Sequence, residues 1–141
     1  MRPRAALRFA VPGVLALLAL VSCAAGVRRA ASRTQELRPG VRFTIGALGD
    51  SSDPALAPHA RLVCRMTDER GAPVWLVPFA LPGLGVERLT DDLGSARFPA
   101  LPPGDWTVLW HVTGAPADSI RIHLETGSAD TLDVRTRPQR P

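Results

Sequence analysis

The chain has 141 residues, a length typical of one domain with a self-supporting core, and a formal net charge of +4. All 17 basic residues are arginine, and lysine, asparagine and tyrosine are absent, which indicates a GC-rich genome and weakens any argument for an acidic partner. Beyond the N-terminal segment, Arg28-Arg29 is the densest basic run, so the sequence argues against a nucleic-acid-binding surface.

The first 22 residues predict a secretory signal peptide. Arg2, Arg4 and Arg8 form a positive beginning, and residues 9–20 are uncharged and mostly apolar. This apolar segment is too short to span a bilayer, and the pair Pro12-Gly13 weakens a spanning helix further. Removal of this leader with its three arginines would lower the net charge to about +1.

The apolar segment ends in Leu20-Val21-Ser22-Cys23, which resembles the lipobox of bacterial lipoproteins. This resemblance implies cleavage before Cys23, transfer of diacylglycerol to its thiol, and acylation of the new N-terminus with a fatty acid such as palmitate. Because Ala24 rather than aspartate follows, the resemblance also implies an outer-membrane anchor with the domain facing the periplasm. Two alternatives stay open: ordinary signal cleavage a few residues later, and an uncleaved anchor helix.

Residues 23–40 follow as a lipidated cysteine and a predicted flexible tether. Small and polar side chains dominate this segment, and Pro39-Gly40 ends it. We therefore expect the folded domain to begin at residue 41.

From residue 41 onward, apolar and polar side chains alternate with a period of two, which is typical of strands buried on one face. The alternating segments are 41–45, 61–66, 106–112, 120–125 and 132–135, with shorter candidates at 86–90 and 96–101. Residues 74–81 are apolar almost throughout, and Pro78 assigns that strand to a sheet edge or a bulge. We therefore predict an all-β domain over 41–137, a seven- to eight-stranded antiparallel β-sandwich, and a tail at 138–141.

Residues 60–136 resemble the carboxypeptidase regulatory-like, or transthyretin-like, β-sandwich. The resemblance is carried by three turn motifs: Asp68-Glu69-Arg70-Gly71-Ala72-Pro73, then Thr90-Asp91-Asp92-Leu93-Gly94-Ser95-Ala96-Arg97-Phe98, then Leu101-Pro102-Pro103-Gly104-Asp105-Trp106. Trp106 replaces the usual tyrosine, and Trp75 and Pro78 stand where the family has a Gly-Ala step. Domains of this family are accessory modules, so the resemblance implies no activity.

No catalytic constellation is complete. Gly49-Asp50-Ser51 resembles the nucleophile block of the GDS esterases, but the chain has neither asparagine nor an Asp-x-x-His sequence near its end. A serine nucleophile needs a positioned base, so residues 50–53 are interpreted as a polar loop. The Tyr-Arg-Gly-Ser signature of the hydroxyisourate hydrolases is also absent. We predict no enzymatic activity and no cofactor.

Metal and thiol chemistry have equally little support. His111 and His123 lie on different predicted strands, and neither they nor His59 belong to a spacing that supplies further metal ligands. If Cys23 is lipidated, Cys64 is the remaining cysteine, and its apolar neighbours predict a buried, unreactive thiol.

The positions of the three tryptophans lead to two hypotheses about function. Trp106 and Trp110 share a face with two valines, which predicts core positions, whereas Trp75 lies on a segment that is apolar on both faces. Trp75, Val77 and Phe79 are accordingly predicted as a contact surface on an edge strand. The first hypothesis is a lipid-anchored, non-catalytic interaction or structural module with an envelope protein partner. The alternative is a module that binds a glycan or another small ligand through an exposed tryptophan.

Overall fold

Two β-sheets enclose one hydrophobic core in the computed structural model, which describes residues 32–46 and 58–136. These residues form nine strands: β1 (Arg33–Arg38), β2 (Val41–Ile45), β3 (Ala60–Thr67), β4 (Pro78–Leu81), β5 (Val86–Leu89), β6 (Ser95–Leu101), β7 (Gly104–Trp110), β8 (Asp118–Leu124) and β9 (Ala129–Arg135). One 3-10 turn, Pro82–Leu84, connects β4 and β5. Within these two ranges, no helix has the length and apolarity needed to cross a membrane.

The five-stranded sheet has the order β1-β2-β9-β3-β6, and the four-stranded sheet has the order β5-β4-β7-β8. The prediction of an all-β fold is confirmed. The described residues contain nine strands, of which eight lie within the predicted domain at 41–137 and one, β1, precedes it, and one of the pairings departs from the predicted antiparallel arrangement. Strands β3 and β9 run parallel, with Cys64 opposite Leu132, whereas the other strand pairs are antiparallel.

The period-two pattern explains which side chains fill the core. In β3, the buried Leu62, Cys64 and Met66 alternate with side chains that are partly or fully exposed. One face of each sheet contributes to a single apolar cluster, whose large fully buried members include Phe79, Leu81, Phe98, Val108, Leu124 and Leu132. The predicted burial of Cys64 is therefore confirmed, and desolvation raises the pKa of its thiol far above its usual range.

Strand β1 overturns part of the tether prediction. Residues 33–38, expected in a flexible segment, pair antiparallel with β2, and Pro39-Gly40 forms the connecting turn with Gly40 at a φ of +82°. Most of β1 is exposed, so backbone pairing rather than apolar burial keeps it in the sheet. A side-chain hydrogen bond of 2.9 Å between the Thr34 and Thr44 hydroxyls supports this pairing.

The segment predicted as an edge strand over 74–81 also differs from expectation. Only Pro78–Leu81 forms a regular strand, and this strand lies between β5 and β7 rather than at an edge. The outermost strands of this sheet are β5 and β8. Pro78 is tolerated inside the sheet because it is the first residue of β4, where its carbonyl oxygen accepts a hydrogen bond from the His111 amide.

Two of the turn motifs form hydrogen-bonded turns built on an aspartate. The Asp68 carboxylate accepts hydrogen bonds from the amides of Arg70 and Ala72, both at 2.8 Å. In the second turn, Gly94 has a φ of +71°, and a Cβ added there would lie 2.6 Å from the carbonyl oxygen of Met66. Glycine is required at this position because both the backbone conformation and the close approach exclude a side chain.

Candidate functional site

The three residues predicted as a contact surface do not share one environment. Val77 and Phe79 are buried in the core, so their assignment to a surface is wrong. Trp75 is 65% exposed, which makes it an accessible tryptophan on an irregular segment between Pro73 and β4. The physical reason is that Phe79 faces the core from β4, whereas the backbone before Pro78 is not a regular strand, so the period of two does not extend to Trp75.

Thr90 determines the course of this irregular segment. Its buried hydroxyl donates to the Val74 carbonyl at 2.8 Å and accepts from the Val77 amide at 2.9 Å. Its own amide donates to the Val77 carbonyl at 3.0 Å, and its carbonyl accepts from the Leu76 amide at 3.1 Å. Thr90 thus forms hydrogen bonds with four backbone groups of the segment, which in a regular sheet would pair with a neighbouring strand.

Leu76 adopts a left-handed backbone conformation, with a φ of +56°, and is the non-glycine residue with positive φ in the described ranges. This conformation costs about 1–2 kcal/mol for a residue with a Cβ. The Leu76 side chain is exposed, so core packing does not offset that cost. The hydrogen bonds to Thr90 hold the residue there, and they turn two consecutive apolar side chains, Trp75 and Leu76, towards solvent.

The exposed large apolar side chains of the described residues all belong to this region. Leu89 immediately precedes Thr90 and lies opposite Pro78 in the register of β4 and β5. Leu93 occupies the neighbouring turn, which contacts the start of the segment because the Gly94 position lies against Pro73. We call the surface formed by Trp75, Leu76, Leu89 and Leu93 the apolar patch.

Two leucines of the apolar patch, Leu89 and Leu93, are not predicted from the sequence. Leu89 sits at the end of an apparently ordinary strand, and Leu93 sits in a turn motif. Their common feature is proximity along the chain to Thr90, whose buried hydroxyl cannot be recognised without the structure. A leucine inside a turn motif, as at Leu93, is the one signal available in the sequence.

A hydrogen-bonded carboxylate, that of Asp91, borders the apolar patch. The Asp91 carboxylate accepts hydrogen bonds from the Ser95 and Leu93 amides, at 2.8 and 3.0 Å, and pairs with Arg97 at 2.8 Å. The Ser95 amide is the main cause that lowers the pKa of Asp91 below its usual value, with Leu93 and Arg97 adding to it. Asp91 is therefore a turn-forming anion rather than a proton-transfer group.

The other two tryptophans face the interior, as predicted, to different extents. Trp110 is 4% exposed and packs against Phe79, with a ring-centroid distance of 6.0 Å. Trp106 is half-buried, and its indole N–H donates to the Pro102 carbonyl at 2.8 Å. The three tryptophans thus do not form a common exposed platform.

A second surface feature is a cleft of about 630 Å³ between the two sheets. Its walls come from the ends of β1 and β9, from the 112–117 loop, and from Trp110. The Arg38 guanidinium lies 5.3 Å from the centroid of the Trp110 ring and is ion-paired with Asp118. This ion pair connects β1 and β8, which are edge strands of different sheets, and we call the feature the inter-sheet cleft.

The remaining titratable groups form no metal centre in residues 32–46 and 58–136. His123 pairs through Nδ1 with Asp105 at 2.8 Å on the outer surface of the four-stranded sheet, and His111 is exposed. Buried Asp130 accepts hydrogen bonds from the Ser128 hydroxyl and the Gly46 amide, and burial raises the pKa of its carboxyl. These contacts connect neighbouring strands and fit a structural role.

Three of the predicted features lie outside the described residues: Cys23, the signal peptide at 1–22, and the Gly49-Asp50-Ser51 segment. The same is true of the 138–141 tail and of residues 23–31 in the tether.

Comparison of the chain with protein-family models and with curated proteins found no match. The features of the molecule that bear on function are therefore the apolar patch, the inter-sheet cleft and the motifs of the sequence.

Proposed function

We propose that the protein is a lipid-anchored, non-catalytic module of the bacterial outer membrane that recruits an envelope protein through the apolar patch. The observation that carries this proposal is the gathering of Trp75, Leu76, Leu89 and Leu93 on one surface. Clustered exposed apolar side chains mark interaction sites far more often than singly scattered ones do. Tryptophan is also among the residues that contribute most to binding energy at protein interfaces.

The backbone of Leu76 supports the same proposal. A left-handed leucine with an exposed side chain lowers the stability of the free protein, and no packing contact in the core compensates for it. Backbone outliers of this kind concentrate at functional surfaces. Burial of the patch by a partner would remove its apolar surface from water, at about 25 cal/mol per Å².

The location and the fold family are parts of this proposal that rest on sequence motifs. The lipobox at Leu20–Cys23 carries the proposed anchor, with the domain in the periplasm. The transthyretin-like assignment is supported by the Asp68 and Asp91 turns, which connect strands as that resemblance implies. Replacement of Cys23 by alanine is expected to abolish incorporation of labelled palmitate and to release the protein from the membrane fraction. Retention of the alanine variant in the membrane would instead favour an uncleaved anchor helix.

The patch is tested by crosslinking in the native envelope. A photoreactive phenylalanine analogue at position 89 is expected to give an adduct of discrete mass with one envelope protein. The same analogue at position 121, exposed on β8 away from the patch, serves as the matched control. The Leu76→Gly variant is expected to reduce the position-89 adduct at least fivefold, because it removes one apolar side chain from the patch.

Leu76→Gly is informative because it relieves the left-handed strain, and its melting temperature is expected to equal or exceed that of the wild type. Loss of the adduct in a stable variant therefore cannot be ascribed to unfolding. An adduct of equal yield from position 121, or one that Leu76→Gly leaves unchanged, would contradict the proposed role of the patch. Adducts with lipid alone would show that the patch faces the bilayer rather than a protein.

Binding of a glycan is the weaker candidate. Sugar platforms use exposed aromatic faces, and Trp75 is the exposed tryptophan of the described residues. Trp106 and Trp110 are engaged in the interior and cannot extend that surface.

A further inference from the structure

The inter-sheet cleft shares no lining residue with the apolar patch, and a role for it does not rest on the proposed function. On one side of the fold, β5 and β6 lie in contact and bring the two sheets together. On the opposite side, the outermost strands are β1 and β8, and the cleft opens at their ends, spanned by Arg38 and Asp118. Its volume of about 630 Å³ lies inside the range of about 300–1,000 Å³ that is typical of small-molecule sites.

The interior of the inter-sheet cleft is apolar. Val41, Met66, Trp110 and Val134 are buried side chains at its base, and Val112 is half-buried in its wall. The guanidinium of Arg38 covers one face of the Trp110 ring by a cation–π contact, so the aromatic base does not face open solvent. An apolar ligand body placed here would displace water from the partly exposed apolar wall at Val112, which is favourable.

The rim of the inter-sheet cleft carries more positive than negative charge. Its charged lining residues in the described ranges are Arg38, Arg135 and Asp118. Arg38 and Asp118 form an ion pair, so their charges largely compensate each other. Arg135 is exposed at the end of β9 and has no ion-pair partner within residues 32–46 and 58–136. The uncompensated charge at the rim is therefore positive.

We propose that the inter-sheet cleft binds a small organic anion with an apolar body, of the aryl-alkyl or alkyl carboxylate class. The body lies against Trp110 and Val112, and the carboxylate lies at the rim beside Arg135. An apolar wall with a single charged group at its mouth selects for ligands that are amphipathic and singly charged. Neutral sugars and cationic ligands lack the charge that this rim complements.

The probe for this proposal is 4-phenylbutanoate, and its matched control is 4-phenylbutylammonium, which has the same ring and chain length but the opposite charge. Titration of the ¹⁵N-labelled full chain, followed by two-dimensional NMR, is expected to give saturable shifts at the Trp110 indole and at Val112. The anion is expected to bind about 5- to 10-fold more tightly than the cation at low ionic strength. Shifts that are absent, or that do not saturate, would overturn the proposal.

Two variants separate the apolar and the charged contributions. Ala117→Trp, at an exposed position of the lining, is expected to fill the cleft and to abolish saturable binding. Arg135→Glu is expected to remove or reverse the preference for the anion, whereas Arg121→Glu, with the same change in net charge on the outer face of β8, leaves it intact. Equal affinity for both probes, or equal effects of the two arginine variants, would overturn the assignment of an anion site. Thermal melts of each variant verify that the fold is retained.

Discussion

The apolar patch and the inter-sheet cleft each contain a tryptophan, and the two residues differ almost completely in exposure. Trp110 is 4% exposed and Trp75 is 65% exposed, although both have apolar neighbours in the sequence. Trp110 lies in a regular strand, where alternation directs every second side chain inward. Trp75 lies on backbone held by the Thr90 hydroxyl, where alternation does not apply. Regularity of the backbone, rather than hydrophobicity, therefore decides which tryptophan reaches solvent.

The difference between the two tryptophans is tested most directly by replacing each with alanine. Trp110→Ala should lower the free energy of unfolding by about 3–5 kcal/mol, because it leaves a cavity beside Phe79. Trp75→Ala should change it by no more than about 0.5 kcal/mol, as expected for an exposed side chain. Urea denaturation of both variants measures the difference. A large loss for Trp75→Ala would make it a core residue and remove the apolar patch.

The turn that carries Leu93 depends on a close backbone approach at Gly94. Gly94→Ala should cost about 3 kcal/mol or more, because its Cβ would meet the Met66 carbonyl oxygen at 2.6 Å in a left-handed conformation. Gly71→Ala is the matched control: it has a similar φ of +84°, and a Cβ there has open space. We expect about 1 kcal/mol for Gly71→Ala. Equal costs in thermal or urea unfolding would mean that the close approach contributes nothing.

Removal of the Thr90 hydroxyl should lower the local stability of the irregular segment. Thr90→Val keeps the size of the side chain but leaves the Val77 amide and the Val74 carbonyl without their partner, at a cost of about 2 kcal/mol. Thr90→Ser retains the hydroxyl and should recover most of that loss. Hydrogen exchange of the Val77 amide measures the local effect. Unchanged protection in Thr90→Val would show that the two hydrogen bonds of the Thr90 hydroxyl do not hold the segment.

The smallest effect is a difference in pH response between two carboxylates, Asp91 in the turn between β5 and β6 and Asp130 in β9. The folded-state pKa of Asp91 is lowered, so its stabilising contribution is present above the unfolded pKa of about 3.9 and is lost as the pH falls through the lower folded value. Burial raises the pKa of Asp130, so protonation favours its folded state, and its contribution is lost as the pH rises through the raised value. A ¹³C titration of the side-chain carboxyl groups should find Asp91 below and Asp130 above the ordinary value. The reverse order would contradict both assignments.

Most of the strand positions could be predicted because alternation is a local property. The segments 61–66 and 132–135 lie inside β3 and β9, and Cys64 is buried as expected. Strand β1 could not be predicted, because Arg33–Arg38 is polar and becomes a strand only through pairing with β2. The parallel register of β3 and β9 joins residues about 70 positions apart, and no local pattern in the sequence encodes it.

The candidate sites were harder to predict than the strands. The sequence predicts Trp75, Val77 and Phe79 as one contact surface, which requires a continuous strand, and the structure exposes only Trp75 of the three. Leu76 and Leu89 belong to separate segments of the chain, which the hydrogen bonds between Thr90 and residues 74–77 bring together. The inter-sheet cleft combines side chains from both sheets and a loop, so its existence depends on how the layers meet.

The position of β9 has a consequence for how the domain folds. This strand is the last one in the described chain, yet it lies at the centre of the five-stranded sheet, between β2 and β3. The β1-β2 and β3-β6 halves of that sheet therefore cannot join until residues 129–135 have been synthesised and have inserted between them. Such a topology has high contact order, which slows folding and rules out assembly by successive hairpins. The incomplete chain exposes strand edges during that interval, so a C-terminal truncation before Ala129 should aggregate rather than form a smaller domain.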